Sequence, residues 1–379
     1  MKHRMTLALA SLAIAACAEN DLNAPETEAV LSVATGATRG AVYTLTNRPS
    51  GNAVAIFDRA ADGSLSYAGE VSTGGLGTGD GLGSQGAIVL SEDKRFLFAV
   101  NAGSDDVSVF EVHASGLSHV QRIASGGVRP VSIAVHEKLV YVLNAGGTGN
   151  IAGFGRSASG ELSPIAGSSR PLSSQDAGAA HVSFTPDGRA LVVTERFTNV
   201  IDVYPVNDAG IAGQGRVHAS SGVTPFGFDF DNRGTVIVAE AFGGATDASA
   251  ASSYLVGRDG ALSIVTASLG TTESAACWLI VSGDGRFAYT ANTQSHTISG
   301  YAIGPDGRLT LLDADGVTGA GADAGPADLA LSSNGGFLYV LTRATGSVTT
   351  FTRSAADGGL ERAAAIGGLP ASAVGLAAR

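Results

Sequence analysis

Seven times along the chain, a run of apolar residues ends on a single polar one. The copies are Val42–Asn47, Leu97–Asn101, Val140–Asn144, Leu191–Glu195, Val236–Glu240, Ala288–Asn292 and Leu338–Thr342. Their polar ends are spaced by about 43 to 54 residues, the length of one propeller blade. Upstream lies another apolar run and then a polar turn, as in Thr185-Pro-Asp-Gly-Arg189, Ser282-Gly-Asp-Gly-Arg286 and Ser332-Ser-Asn-Gly-Gly336. Asp-Gly and Asn-Gly favour tight hairpins, because both central residues there need φ > 0. Downstream follows a third, alternating strand, as in Asp106–Val112, Asn199–Val206 and Ser347–Thr352. A glycine turn then leads to a shorter fourth strand, as in Asp306–Asp313. Four strands per unit, A to D, predict an all-β, seven-bladed propeller over residues 39–379.

The chain ends bear on how such a ring closes. The first unit opens directly on its B strand at Ala41, with no strand A before it. The last unit finishes near Ile366, yet Leu369–Ala377 follows and looks like the strand A of Gly325–Ser332. The C-terminus is therefore expected to supply strand A of the first blade and hide both edges of the ring.

Composition supports strands and tight turns. There are 53 glycines, 15% of residues are charged, and 44% are hydrophobic, enough for a large core. The net charge of −11 repels phosphates, and no basic stripe compensates, so nucleic acid is excluded as a partner. The cysteines, Cys17 and Cys277, form no disulfide framework or metal-ligand spacing and are not expected to pair.

At the start, Lys2, His3 and Arg4 precede the apolar run Leu7–Ala16, which is too short to span a bilayer. Ile14-Ala15-Ala16-Cys17 resembles a bacterial lipobox, so residues 1–17 read as a signal peptide with Cys17 lipidated. An ordinary signal peptide cut near Ala16 is the alternative. Residues 18–38 read as a polar tether. The expected place is the cell envelope, facing periplasm or exterior, with membrane contact only through the anchor and the domain a monomer.

Candidate chemistry collects on one face. The D–A and B–C connections, around the channel mouth, include the long and individual segments 72–85, 168–180, 243–252 and 316–326. Individual loops on a rigid scaffold are where function concentrates. The B-strand ends bring Asn101, Asn144, Asn292, Glu195 and Glu240 to this face, and the starts of strands A bring Gln85, Arg129, His181, Cys277, Trp278 and Asp328. The asparagines read as strand-end residues bonding the next turn, or as substrate contacts. Two carboxylates on neighbouring blades invite a catalytic reading, against simple pairing of Glu195 with Arg196. His181 is placed where a general base would stand, against a satisfied structural histidine. Cys277 reads as a reactive thiol or an inert core cysteine, and Trp278 as a stacking platform. The glycine-rich Gly74–Gly83 lacks a P-loop ending and reads as a cover or an anion-holding loop. No metal site and no cofactor are indicated.

The Pro186–Arg189 turn, the strand Tyr141–Asn144 and Gly83–Gly86 before a strand carry a resemblance to the β-propeller lactonases. That family includes 6-phosphogluconolactonase-type and carboxymuconate-cyclase-type propellers. The resemblance implies lactone chemistry at the channel mouth. Its site is a His opening one blade, an Arg opening the next and a Glu ending that second blade's B strand. His181 matches the His and Glu240 the Glu, but the Arg position reads Thr224-Pro225-Phe226. Arg129, Arg196 and Arg343 are the cations that could stand in. The expected ligand is a small lactone or carbohydrate-like molecule. The competing readings are a non-catalytic envelope propeller that binds a protein, glycan or small ligand, and an enzyme using Cys277 as nucleophile.

Overall fold

The computed structural model describes residues 40–379. The signal segment, Cys17 and the tether lie outside the described residues.

Seven antiparallel sheets form the ring. The seven apolar runs form the second strands: Gly40–Leu45, Phe96–Asn101, Leu139–Gly146, Ala190–Glu195, Thr235–Glu240, Phe287–Asn292 and Phe337–Thr342. These strands are buried along nearly their whole length, because each is flanked by strands within its blade and covered by both neighbouring blades. Hence they read as continuous apolar runs rather than as alternating ones. The fourth strands, such as Leu65–Ser72 and Leu360–Ile366, form the rim and are largely exposed. No α-helix occurs among the described residues.

Buried tyrosines tie blade to blade. Tyr141, Tyr289 and Tyr339 donate their hydroxyls to the turn carbonyls of Gly210, Gly358 and Gly63, at 2.7, 2.8 and 3.0 Å. Each acceptor belongs to the next blade, so a ring that fills the core also satisfies its polar tip.

The ring closes as expected. Val374–Ala378 pairs antiparallel with the first strand through Val42↔Ala378, Tyr43↔Ala377 and Leu45↔Val374. Ser372 adds a 2.7 Å bond to the Thr46 carbonyl. One blade departs from the four-strand unit. In blade 3 the long loop folds back as a short extra strand, Arg170–Pro171, against Asn150 and Ile151. An outer edge is where a proline without an N–H donor is tolerated.

A further regularity positions the channel lining. The register slips where strand A begins in blades 3, 4, 5, 6 and 7, as between Pro130/Ser132, Ala179/His181, Ala276/Trp278 and Pro326/Asp328. A bulge bends the strand and re-aims the side chain that follows it. The residues so placed include Ser132, His181, Trp278 and Asp328.

Candidate functional site

The seven strand-end residues reach the mouth face as expected, but all are at most 1% exposed. Most of their polar atoms are spent on protein groups of their own blade or of the connection before it, while Asn144 Oδ1 and Asn292 Oδ1 are buried without a partner among the described residues. Asn101 donates to Asp106 at 2.6 Å and to Ser108 at 2.9 Å, and Asn292 to Thr297 at 3.1 Å and Ser299 at 2.8 Å. Asn144 donates to the Ser125 carbonyl at 3.4 Å.

The two glutamates follow the same pattern. Glu240 accepts from Gly222 N–H at 2.7 Å, from Ser268 at 2.5 Å and from Ser252. Burial pushes its carboxyl pKa up, and these donors pull it back. Glu195 accepts from Ser173 N–H at 2.9 Å, from the Ser173 hydroxyl and from Thr198 at 2.6 Å. It makes no ion pair with Arg196. Beside it lies Asp202, whose carboxyl pKa is pushed up by burial and by the neighbouring Glu195. The sequence signal for that pair was a carboxylate inside the buried strand Val200–Pro205.

His181 is buried, and Phe228 of the next blade donates its N–H to Nδ1 at 3.4 Å. Burial holds the imidazole neutral, with its pKa pushed down to about 3. Since Nδ1 accepts, the proton resides on Nε2, and the chemistry open to this tautomer is donation rather than proton abstraction. The same link recurs around the ring. Val182 N–H donates to Ser132 Oγ at 3.2 Å, and Val281 N–H to Asp229 at 2.9 Å. Leu376 N–H bonds Asp328 across the closing junction. His181 thus serves as one in a series of latches between inner strands, and it shares no hydrogen-bond partner with Glu240.

The channel itself is crossed by the chain. In a seven-membered ring, blade 6 stands on the far side from blade 2. Yet Gln85, just before the inner strand of blade 2, donates to Leu279 C=O at 2.7 Å and accepts Leu279 N–H at 3.0 Å. Trp278 donates its indole N–H to Ser84 C=O at 2.9 Å, Ser84 donates to Val131 C=O at 2.8 Å, and Gln85 N–H reaches Ala180 C=O at 3.0 Å. Gly227 is required for this crossing, since a Cβ there would collide with Gln85 Oε1. Gly86 is required beneath it. Its φ is +80°, and a Cβ would stand 2.8 Å from Ser132 Oγ and 3.3 Å from the His181 ring. The segment is a plug. A cavity of only about 10 Å³ remains beside it, lined by Leu82, Trp278, Asp328 and Arg343 among others.

The glycine-rich loop is pinned rather than loose. Asn47 donates to Thr78 at 3.0 Å and to Asp80 C=O at 2.6 Å, and Gly77 and Gly79 bond the backbone of Arg48 and Asn47 at 2.9 Å. Trp278 packs on Phe226 with ring centroids 5.0 Å apart, so the expected stacking platform is already covered by protein. Cys277 is fully buried within the core, which is the environment of an inert core cysteine rather than of an accessible nucleophile.

Above the plug lie the arginines. Arg196 projects from the end of the B strand of blade 4, and its guanidinium lies 5.3 Å from the Phe226 ring centroid and 5.0 Å from that of Phe197. Its Nε–H donates to Gly178 C=O at 3.1 Å, and its Nη1 would be 2.8 Å from a Cβ on Gly83. Its pKa is pushed down to about 10, first by burial and then by the like charge of Arg129. Arg129 holds φ at 54° and donates its backbone N–H to Asp105 at 2.7 Å. Neither guanidinium belongs to an ion pair among the described residues. Arg343 approaches the same loop at Gly81. Phe226 is two residues past Thr224, where the family resemblance calls for a cation. A cation thus reaches that neighbourhood from the preceding blade, a role invisible in linear sequence.

The sequence profile described as "Lactonase, 7-bladed beta-propeller" matches residues 42–170, 165–242 and 262–370. A 6-phosphogluconolactonase of Pectobacterium carotovorum is 24% identical over 171 residues, which is 42% of this chain and 50% of that protein. The chain thus aligns with half the length of this curated relative. A candidate 6-phosphogluconolactonase of Bacteroides fragilis superposes with a TM-score of 0.73 at 19% identity, covering 92% of this chain and 100% of the other. The periplasmic gluconolactonase of Pseudomonas aeruginosa gives 0.70 at 18% identity, over 88% and 98%. At such identities the structural likeness speaks for the fold.

Proposed function

The chain belongs to the lactonase family of seven-bladed β-propellers, and from that premise we propose that it binds and opens an anionic sugar-acid lactone at the mouth of its channel. The observation that carries this reading is the pair Arg196 and Arg129, two like charges close enough to disfavour one another, with no carboxylate paired to either guanidinium. An anion bound between them relieves that repulsion and makes charge-assisted hydrogen bonds. In hydrolysis, water adds to the carbonyl carbon and the bond to the ring oxygen breaks, giving the hydroxy acid. Arg196 holds the substrate's own anionic group, and Arg129 offsets the charge that develops on the carbonyl oxygen. His181, Glu240, Glu195, Gln85 and Trp278 enter this reading as supports that hold the plug and loops beneath the arginines.

The test is turnover on a panel of phosphorylated, carboxylated and neutral lactones. Arg196→Gln is expected to lower kcat/KM for the anionic members by about 10- to 100-fold, the worth of a charged hydrogen bond. Neutral members should change by less than about threefold, since they do not make that bond. Equal losses on both classes would count against the assignment. A second reading, ligand binding without catalysis, is favoured by the plug and by the internal bonds of His181 and Glu240. Saturable binding of an anionic lactone with no turnover of any panel member would decide for it.

A further inference from the structure

On the face opposite the mouth, the repeat breaks its own packing rule at one position. The first residue of the B strand is Phe96 in blade 2, Leu139 in blade 3, Phe287 in blade 6 and Phe337 in blade 7. A turn glycine of the following blade closes on each: Gly160 on Phe96, Gly210 on Leu139, Gly358 on Phe287 and Gly63 on Phe337. Two of these rings are also covered by arginines. Arg95 and Arg156 lie 5.2 and 4.9 Å from the Phe96 centroid, and Arg286 and Arg353 lie 5.0 and 6.0 Å from that of Phe287.

Blade 4 has Ala190 at this place. Small residues also stand there in blades 1 and 5, but those gaps are filled. Arg59 lies against Gly40, and Gly307 of the next blade closes on Thr235. Beside Ala190 the matching glycine, Gly260, faces Arg216, Pro205 and Val203 instead. A cleft of about 390 Å³ opens, with Ala190, Leu255 and Val256 as apolar lining and Arg189, Arg233 and Arg258 among its walls. Arg189 directly precedes Ala190, as Arg95 precedes Phe96 and Arg286 precedes Phe287. The arginine of the sandwich is therefore present and the ring is missing.

We propose that this cleft binds a small aromatic carboxylate, whose ring takes the place of the absent phenylalanine. A flat ring on Ala190 would have the guanidinium of Arg189 over its face, as the rings of blades 2 and 6 do. The carboxylate is assigned to Arg258, which joins no ion pair among the described residues. Arg233 is held by Asp231 at 2.7 Å, and Arg189 has Asp187 only at 3.8 Å, too long for a hydrogen bond. Bidentate bonding of a carboxylate by guanidinium adds geometric selectivity to the charge.

Benzoate, benzyl alcohol and acetate, titrated separately into the protein with isothermal calorimetry and NMR, divide ring from charge. Benzoate is expected to saturate one site. Benzyl alcohol and acetate should each bind at least about tenfold more weakly, since each lacks one of the two anchoring groups. Ala190→Phe places the residue of blades 2, 6 and 7 in the slot, and should abolish benzoate binding while keeping the thermal midpoint. Ala190→Leu, the residue of blade 3, repeats the test if the phenylalanine variant does not fold. Arg258→Gln should weaken benzoate at least about fivefold, as loss of a charged hydrogen bond does. Absence of saturable benzoate binding, or binding that survives the filled slot, would overturn the proposal. Lactone turnover in Ala190→Phe is expected to match the parent, so the two faces succeed or fail separately.

Discussion

The two faces of the ring close their polar groups in different ways. On the turn face, bonds repeat from blade to blade: the tyrosine bonds between neighbouring blades recur, and each turn carries its own local bond. Ser91 reaches Asp93 at 2.6 Å, Thr185 reaches Asp187 at 2.7 Å, Ser282 reaches Asp284 at 2.5 Å and Ser332 reaches Asn334 at 2.6 Å. On the mouth face, local bonds such as that from Asn101 to Asp106 are joined by others that leap across the chain. Gln85 and Leu279 are 194 residues apart, and Ser84 and Val131 are 47 apart. A local bond needs only its own few residues and can be copied into every blade. A bond across the ring exists once. Individual residues therefore accumulate at the mouth, and any chemistry that needs unlike groups side by side has to be assembled there.

This contrast is open to attack, starting with ring closure. Deleting residues 370–379 removes the buried strand Val374–Ala378 and exposes the first blade's edge. The loss should be on the order of 5 kcal/mol or more, and melting should fall by more than about 10 °C. An unchanged melting curve would mean that closure contributes nothing.

Next comes the plug. Gln85→Ala leaves both the N–H and the C=O of Leu279 without their partner. Denaturant titration should show a loss of about 2–5 kcal/mol. A change below about 1 kcal/mol would mean that water replaces the bridge.

His181 offers a pH test. Its pKa lies near 3 in the folded chain, against an ordinary 6.5. Between those values the unfolded chain takes up a proton that the folded chain refuses, so this group makes stability rise with pH across that window. The slope is at most about 1.4 kcal/mol per pH unit. Asp328 works the other way. Its carboxyl is raised to about 8 by burial, so its contribution is complete below the ordinary carboxylate pKa and is lost as pH rises through about 8. In urea titrations from pH 4 to 7, His181→Asn should lose the rising component that the parent carries. Identical pH profiles would place the imidazole outside the latch series.

The smallest effect belongs to the turn face. Arg308 and Asp306 are paired at 3.0 Å but are 71% and 62% exposed. Arg308→Ala should cost less than about 0.5 kcal/mol, measured by the same titrations. A loss above about 1 kcal/mol would erase the distinction between the faces.

How much of this was legible follows from the range of each interaction. The seven runs, the Asp-Gly turns and the closing strand at the C-terminus were readable, because period, turn chemistry and burial pattern act within a few residues. The extra strand Arg170–Pro171 was not, since an edge pairing inside a long loop leaves no periodic trace. For the candidate site, sequence placed His181, Glu240, Trp278 and Gln85 on the correct face but left their roles open. A glutamate ending an apolar strand looks the same whether it meets substrate or the hydroxyls of Ser252 and Ser268, and those serines come from separate segments.

By itself, then, the chain's pattern of apolar and polar residues determined the seven blades, their order and the face on which unlike residues gather. Only the tertiary structure decided that Gln85 spans the channel, that His181 latches two blades, and that Arg196 reaches Phe226 beside the cation-poor Thr224. The reason is geometric. Closing a ring makes neighbours of residues that are tens to hundreds of positions apart, and no local pattern encodes which of them will meet.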